Sequence, residues 1–259
     1  MALRLSAALR NSVLKGRAFK YAMSNCVLKI YTGAQPATAD AAPTGTLLCT
    51  YSSSSGALTR EVLSVGSLTL SGTSGSANTF TLNGIEIMGS VVASDGTVAG
   101  TATLVAKAIN DNPKNTYVTA STTGSTGVIT LTAKPGFGSL PNTWVPAGTG
   151  TTISFGSASN MAGGVTAVNG LLWGDVAAGI ISKVASQTWT GVSVATGTAG
   201  WFRFEAAVSD AGALDSTESV LRMDGAISTS GAELNLSTTS IANGATQTID
   251  TFTVTLPTS

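Results

Sequence analysis

The sequence predicts a mainly β protein, a discontinuous β-sandwich outer domain with an N-terminal helix and a small inserted α+β domain. Three observations point there. Ser and Thr make up about a quarter of the 259 residues, and there are 30 glycines. Thr and Val favour strands, whereas Gly, Ser and Asn favour the turns between them. Charged residues are only 10% against 43% hydrophobic, so enough apolar material exists for a core and disorder is not expected. Short alternating runs are punctuated by turn dipeptides along most of the chain.

The first element is expected to be a helix over 2–22. Leu5, Ala8, Leu9, Ser12 and Val13 recur at helical spacing, with Arg4, Arg10 and Lys15 elsewhere on the wheel. Strands follow at Cys26–Tyr31 and Leu47–Tyr51, separated by a loop containing Pro36 and Pro43. The inserted domain is placed at 65–164. It should hold strands at Ser67–Ser71 and Thr79–Met88, the latter folded about Asn83-Gly84, a strong hairpin signal. Val98, Ala102, Val105 and Ile109 predict a helix over Thr97–Asn110, stopped at Asn112-Pro113. Strands at Tyr117–Ala120, Val128–Ala133 and Thr151–Phe155 complete the unit, and Met161–Gly164 reads as an exit linker.

The outer domain comprises 1–64 and 165–259. Its second half should contain short strands at Leu171–Gly174, Ile180–Val184 and Thr188–Val194. The most apolar strand is Gly200–Val208, and Val220–Ile227, Leu234–Ser237 and Gln247–Leu256 finish the sheet. A turn is expected at Asn243-Gly244, and no fixed-period repeat is visible.

The chain has no histidine, hence neither the commonest general base nor the commonest metal ligand at neutral pH. Its formal net charge is zero, which argues against a general nucleic-acid binder. No run approaches the ~20 apolar residues of a membrane helix. Arg4 and Arg10 interrupt the only candidate signal-peptide core. Cys26 and Cys49 have no zinc spacing and read as two unpaired thiols.

Charge is distributed unevenly. Arg4, Arg10, Lys15, Arg17, Lys20 and Lys29 all precede the first acid, Asp40, whereas eight acids lie beyond Gly170. Arg4, Arg10, Lys15, Arg17 and Lys20 are therefore candidate assembly-interface residues for contact with the acidic end of a neighbouring subunit. Two solvated faces or an intrachain contact between the termini would produce the same pattern.

Candidate chemistry is sparse. Asp210, Asp215 and Glu218, and separately Asp224 and Glu233, are the only carboxylates close enough to be considered for glycan hydrolysis or, for the first three, Ca²⁺ binding. Their loops suggest ordinary solvated acids, so no catalytic, cofactor-binding or metal residue is assigned. Gly72-x-x-Gly75 and Gly197-x-x-Gly200 open no phosphate-binding helix and read as turns. Trp173, Trp189 and Trp201 are expected to serve as core or interface anchors, while Trp144, between Pro141 and Pro146, is the candidate for an exposed ligand or partner contact.

Several segments carry a family resemblance. Leu3–Ser6, Leu9–Asn11 and Ile30–Ala42 (IYTGAQPATADAA), then Thr196–Arg203 (TGTAGWFR), Asp224-Gly225, Thr229–Leu236 and Gln247–Thr255, resemble a family of small structural proteins from tailed-bacteriophage and prophage genomes. The middle unit resembles modules inserted in phage tail and virion proteins. The resemblance implies a non-enzymatic virion component, assembled in the bacterial cytoplasm and homo-oligomeric on the particle. Its partners would be itself and a major capsid or tail protein. A capsid decoration or cement role is the leading expectation. A tail or neck protein and a glycan-binding adhesin are the alternatives.

Overall fold

A computed structural model describes residues 3–124 and 126–255. The fold is mainly β, 42% strand and 10% helix, with several antiparallel sheets and a short N-terminal helix. The chain divides into two compact units, one of residues 1–60 and 167–259, the other Glu61–Thr166. The breaks lie a few residues outside the 64/65 and 164/165 boundaries expected from sequence.

The opening segment holds strand β1 (Arg4–Leu5), helices α1 (Ala7–Leu14) and α2 (Phe19–Ala22), and strands β2 (Val27–Thr32) and β3 (Leu47–Ser53). The single helix expected over 2–22 is thus broken, and Met1 and Ala2 lie outside the described residues. The physical cause is Ser6. Its Oγ accepts from Leu9 N–H, capping α1, and also accepts from Arg222 N–H while donating to the Val220 carbonyl. An N-cap residue has a non-helical backbone, so the helix cannot continue back through Ser6, and Arg4 and Leu5 pair instead with Asp224 and Met223. Gly16, at φ 91°, follows the end of α1.

The middle segment holds β4 (Val65–Ser71), β5 (Ser76–Leu82), β6 (Ile85–Glu86), β7 (Val92–Ala93), α3 (Val98–Asp111), β8 (Val118–Thr122), β9 (Val128–Ala133), β10 (Pro146–Thr151) and β11 (Ser154–Ala162). Asn83 and Gly84 both have positive φ, 50° and 81°, the backbone a two-residue type I′ hairpin needs. Thr97 caps α3 by accepting from Gly100 N–H. Departures from expectation occur here. Residues 146–150 lie in a strand, paired along β5, where a loop was expected, and the strand expected over Thr151–Phe155 is divided between β10 and β11. Met161 and Ala162 belong to β11 rather than to a linker, and Met161 is fully buried.

The last segment holds β12 (Ile180–Ser182), β13 (Trp189–Val192), β14 (Gly197–Glu205), β15 (Arg222–Ser228), β16 (Leu234–Asn235), β17 (Ser240–Ile241), β18 (Thr246–Ile249) and β19 (Thr253–Thr255). Leu171 and Trp173 form isolated bridges, to Cys26 and Lys183, instead of the expected strand. The final run is split into β18 and β19, and Leu256 lies outside the described residues.

In the first unit the main sheet runs β1-β15-β14-β2-β3-β13-β18, with β16 on β15 and β17 on β14. β12 and β19 form a separate ribbon. A core of Leu9, Met23, Leu28, Ile30, Trp173, Trp189, Phe202, Phe204 and Phe252 lies against it. The aromatics meet mostly edge-to-face or tilted, for instance Trp173 and Trp189 at 5.5 Å between centroids. At Gly200 the β14–β2 register shifts, and a Cβ there would lie 1.9 Å from the Gly33 carbonyl oxygen, so only glycine fits.

The second unit has two four-stranded sheets, β10-β5-β6 with β7 also on β5, and β11-β4-β9-β8. Leu68, Leu70, Phe80, Leu82, Ile129 and Leu131 of the strands and Val105 and Ile109 of α3 make its core.

Candidate functional site

The charged residues of the first unit are concentrated where β14 and β15 pair. Alternation along β14 puts Phe202 and Phe204 into the apolar core and Trp201, Arg203 and Glu205 on the opposite face. That second face would ordinarily be wet, yet all five residues are buried. It is covered in part by the loop joining β2 to β3, which is held by side chains from below. Trp201 Nε1 donates to the Thr44 carbonyl and stacks on Tyr31 at 4.6 Å. Arg203 Nη1 donates to the Ala41 carbonyl, 3.0 Å, and Arg222 Nη1 to the carbonyls of Asp40 and Ala41. Arg4 donates to the Pro36 carbonyl, and the Asp40 carboxylate accepts from Ala7 N–H, 2.9 Å, at the start of α1.

Arg203 and Arg222 are each buried beside a carboxylate. Arg203 and Asp224 form a two-pronged pair, 2.8 and 2.7 Å, with neither side chain exposed. Arg222 forms the same fork with Asp210, 2.6 and 2.7 Å. Glu205 accepts from Lys29, 2.7 Å, and Arg60, 2.5 Å. Such planar two-bond geometry is what guanidinium offers a carboxylate. Burial, the largest influence on Asp224, pushes its carboxyl up against the pull of Arg203. At Asp210 burial also works against ionisation, but the bonds and charge of Arg222 outweigh it and hold the carboxyl below its ordinary value.

This layer accounts for the acids singled out from sequence. Asp210 is taken by Arg222. Asp215 closes its own loop, accepting from the N–H groups of Thr217, Ser219 and Val220 and from the hydroxyls of Thr217 and Ser219. Glu218 accepts from the Asn11 amide, 2.6 Å, and Glu233 from Ala226 N–H, 2.9 Å. Among the described residues no three His, Cys, Asp or Glu side chains gather as a metal site.

The basic candidates divide. Arg4 is spent on β1 and the loop above it. Arg17 donates to the Tyr21 carbonyl, and Lys20 pairs with Asp175 at 2.6 Å. Arg10 and Lys15 are exposed on α1 and at its end. Trp144 is half-buried rather than free. It packs edge-on to Tyr117 and Phe137, at 5.8 and 6.0 Å, against the core of the second unit. Trp173, Trp189 and Trp201 are buried.

Cys26 and Cys49 are free and buried. Burial pushes the Cys26 thiol up to about 12 and the Cys49 thiol to about 11, so neither is a nucleophile at neutral pH. The second unit has an open groove of about 590 Å³ between α3 and the chain around Met88–Ala93, with Val91, Leu104 and Pro113 in its lining and the Lys107–Asp111 ion pair beside them.

Sequence reasoning missed Arg203 and Arg222 as organising residues. Their only signal was an arginine amid Trp201, Phe202 and Phe204, and a second arginine beside Met223. Comparison of the sequence with protein-family models and with curated proteins finds no match.

Proposed function

We propose that the chain is a non-enzymatic structural component of a tailed-phage virion, acting as a capsid decoration protein that bridges neighbouring capsid subunits. The observation that carries this reading is where the family-like segments fall. Ile30–Thr32 lies in β2, Thr198–Arg203 in β14, Asp224-Gly225 in β15 and Gln247–Ile249 in β18, all strands of one sheet. The loop Gly33–Ala42 is the one held by Arg4, Arg203 and Arg222. The resemblance therefore covers a contiguous folding unit, as a shared architecture would, rather than scattered matches.

The site chemistry supports the same reading. The carboxylates with a definite geometry are bound to arginines, lysines or backbone N–H groups that hold the fold together. Such internal tethering suits a part that must keep its shape under load. A cement protein would act by adding subunit-to-subunit binding energy against the pressure of packaged DNA, with itself and the major capsid protein as partners.

Electron microscopy of particles made with and without the gene tests this. The expected result is density on the outer capsid lattice that is lost on deletion. Density in rings along the tail or at the neck would make it a tail or neck protein instead. Absence of the chain from purified particles would overturn the virion reading altogether.

A further inference from the structure

We propose that the outward face of α1, with Arg10 and Leu14 at its centre, Lys15 at its end and Tyr21 of α2 beside it, is the surface by which the first unit docks on an acidic protein partner. The inference rests on the virion reading, in which that partner is the capsid lattice.

The face is left over by the packing of α1. Ala8 and Leu9 are buried, and Ser6 and Asp40 hold the helix start, so the helix cannot roll. Arg10, Val13 and Leu14, related by three and four residues, then share the opposite side. Leu14 is 84% exposed and Tyr21 66%. The Lys20–Asp175 bond holds the next loop beside α2, and Val176 on it is 62% exposed. Isolated exposed apolar residues are ordinary, but several on adjoining elements, rimmed by cations, are the make-up of a protein contact.

Charge selects the occupant. Lys20, Lys29, Arg60, Arg203 and Arg222 of this unit each pair with a carboxylate of the same unit. Among the described residues, Arg10 and Lys15 have no carboxylate within ion-pairing distance. No acid occurs before Asp40, and that one is engaged with Ala7 N–H. A carboxylate partner for either would come from another molecule. Of the acids on a second copy of this chain, Glu205, Asp210, Asp215 and Asp224 are consumed inside the fold, and the exposed Asp111, Asp175 and Glu218 are already bonded to Lys107, Lys20 and Asn11. A membrane is a poorer match, since α1 has only eight residues and its exposed apolar side is Val13 and Leu14.

Binding of purified full-length protein to particles of the phage that carries the gene, prepared with that gene deleted, tests the proposal. The variants are Arg10→Glu/Lys15→Glu and Leu14→Ser/Tyr21→Ser. All four side chains are exposed, and a circular dichroism melt checks that each variant is folded. Lys107→Glu/Lys114→Glu, in the other unit, is the control. Wild type and control should bind alike, with affinity falling as salt rises. The charge-reversed variant should bind about tenfold or more weakly, and the Leu14/Tyr21 variant should also lose affinity. Equal binding by wild type and both α1 variants would overturn the docking face and leave the virion reading standing. Failure of wild type to bind would remove the virion reading itself. Wild-type binding to phosphatidylglycerol vesicles, lost in the charge-reversed variant, would replace the protein partner with a lipid surface.

Discussion

Thr59 and Val168 exchange both backbone N–H···O bonds, each 3.1 Å, although 109 positions separate them in the chain. Val62 and Val165 do the same three residues further in, at 3.1 and 3.0 Å. The first pair closes the outer unit and the second closes the inserted one. Each unit thus has its own latch where the chain crosses between them.

Because the latch closes without help from the insert, removing Glu61–Thr166 and joining Arg60 to Ala167 through a short Asn-Gly turn should leave the first unit folded. The entropic penalty of closing a loop grows by about 0.6 kcal/mol per doubling of its length, so shortening this one should not destabilise the unit. Circular dichroism and the dispersion of amide NMR signals measure the outcome. A disordered product would mean that the first unit depends on the second.

Edge strand β8 is sealed by two asparagines. The Asn110 carboxamide accepts from Ala120 N–H and donates to its carbonyl, both at 2.8 Å, and Asn115 does the same for Val118 at 3.3 and 3.0 Å. Each N–H and C=O bound this way points away from β9, so the exposed side of the edge has side-chain partners where another strand would otherwise pair. Asn110→Ala and Asn115→Ala should each cost about 1–3 kcal/mol through unsatisfied backbone groups. The double variant should also self-associate. Urea unfolding followed by light scattering reads both effects. A double variant that stays monomeric would show that the edge is protected in some other way.

The Arg203–Asp224 pair is expected to be worth more for geometry than for energy. Arg203→Met alone leaves Asp224 buried and unpaired, at a cost of about 3–5 kcal/mol. Adding Asp224→Leu should recover most of that, apart from about 1 kcal/mol for the lost bond to the Ala41 carbonyl. Chemical denaturation of the two variants against wild type measures the difference. A double variant no better than the single one would show that the pair is net stabilising.

Acid should weaken the first unit through Asp210 and Asp215. Burial is the largest influence on each and opposes ionisation. The Arg222 bonds at Asp210, and the Val220, Thr217 and Ser219 hydrogen bonds at Asp215, outweigh it and hold both carboxyls below 3.8. The unfolded chain then binds more protons, so their contribution is present above the ordinary value and is lost as pH falls through the depressed ones. Asp224, pushed up by burial, acts in the opposite sense. Thermal unfolding between pH 6 and pH 2 should show a falling midpoint, with a shallower fall in Asp215→Asn. Equal slopes would remove Asp215 from the account.

The β class, the Asn83-Gly84 hairpin and the helix ending before Asn112-Pro113 were legible in the sequence, because each rests on neighbours within a few positions. Turn chemistry, capping and side-chain period are local properties. What the sequence could not show was set by partners far along the chain. Arg4 and Leu5 read as helix by spacing but are extended, since Met223 and Asp224 supply their hydrogen bonds. Pro146–Thr151 has little strand character of its own and becomes a strand by pairing with β5. Arg203 and Glu205 read as the wet face of a half-buried strand and are buried, because a loop more than 150 residues away in sequence lies over Arg203 while Lys29 and Arg60 close on Glu205. The uneven charge along the chain was visible from the start. Only the tertiary structure decided that Lys20 and Lys29 find carboxylates within the chain, with Arg10 and Lys15 left facing outward.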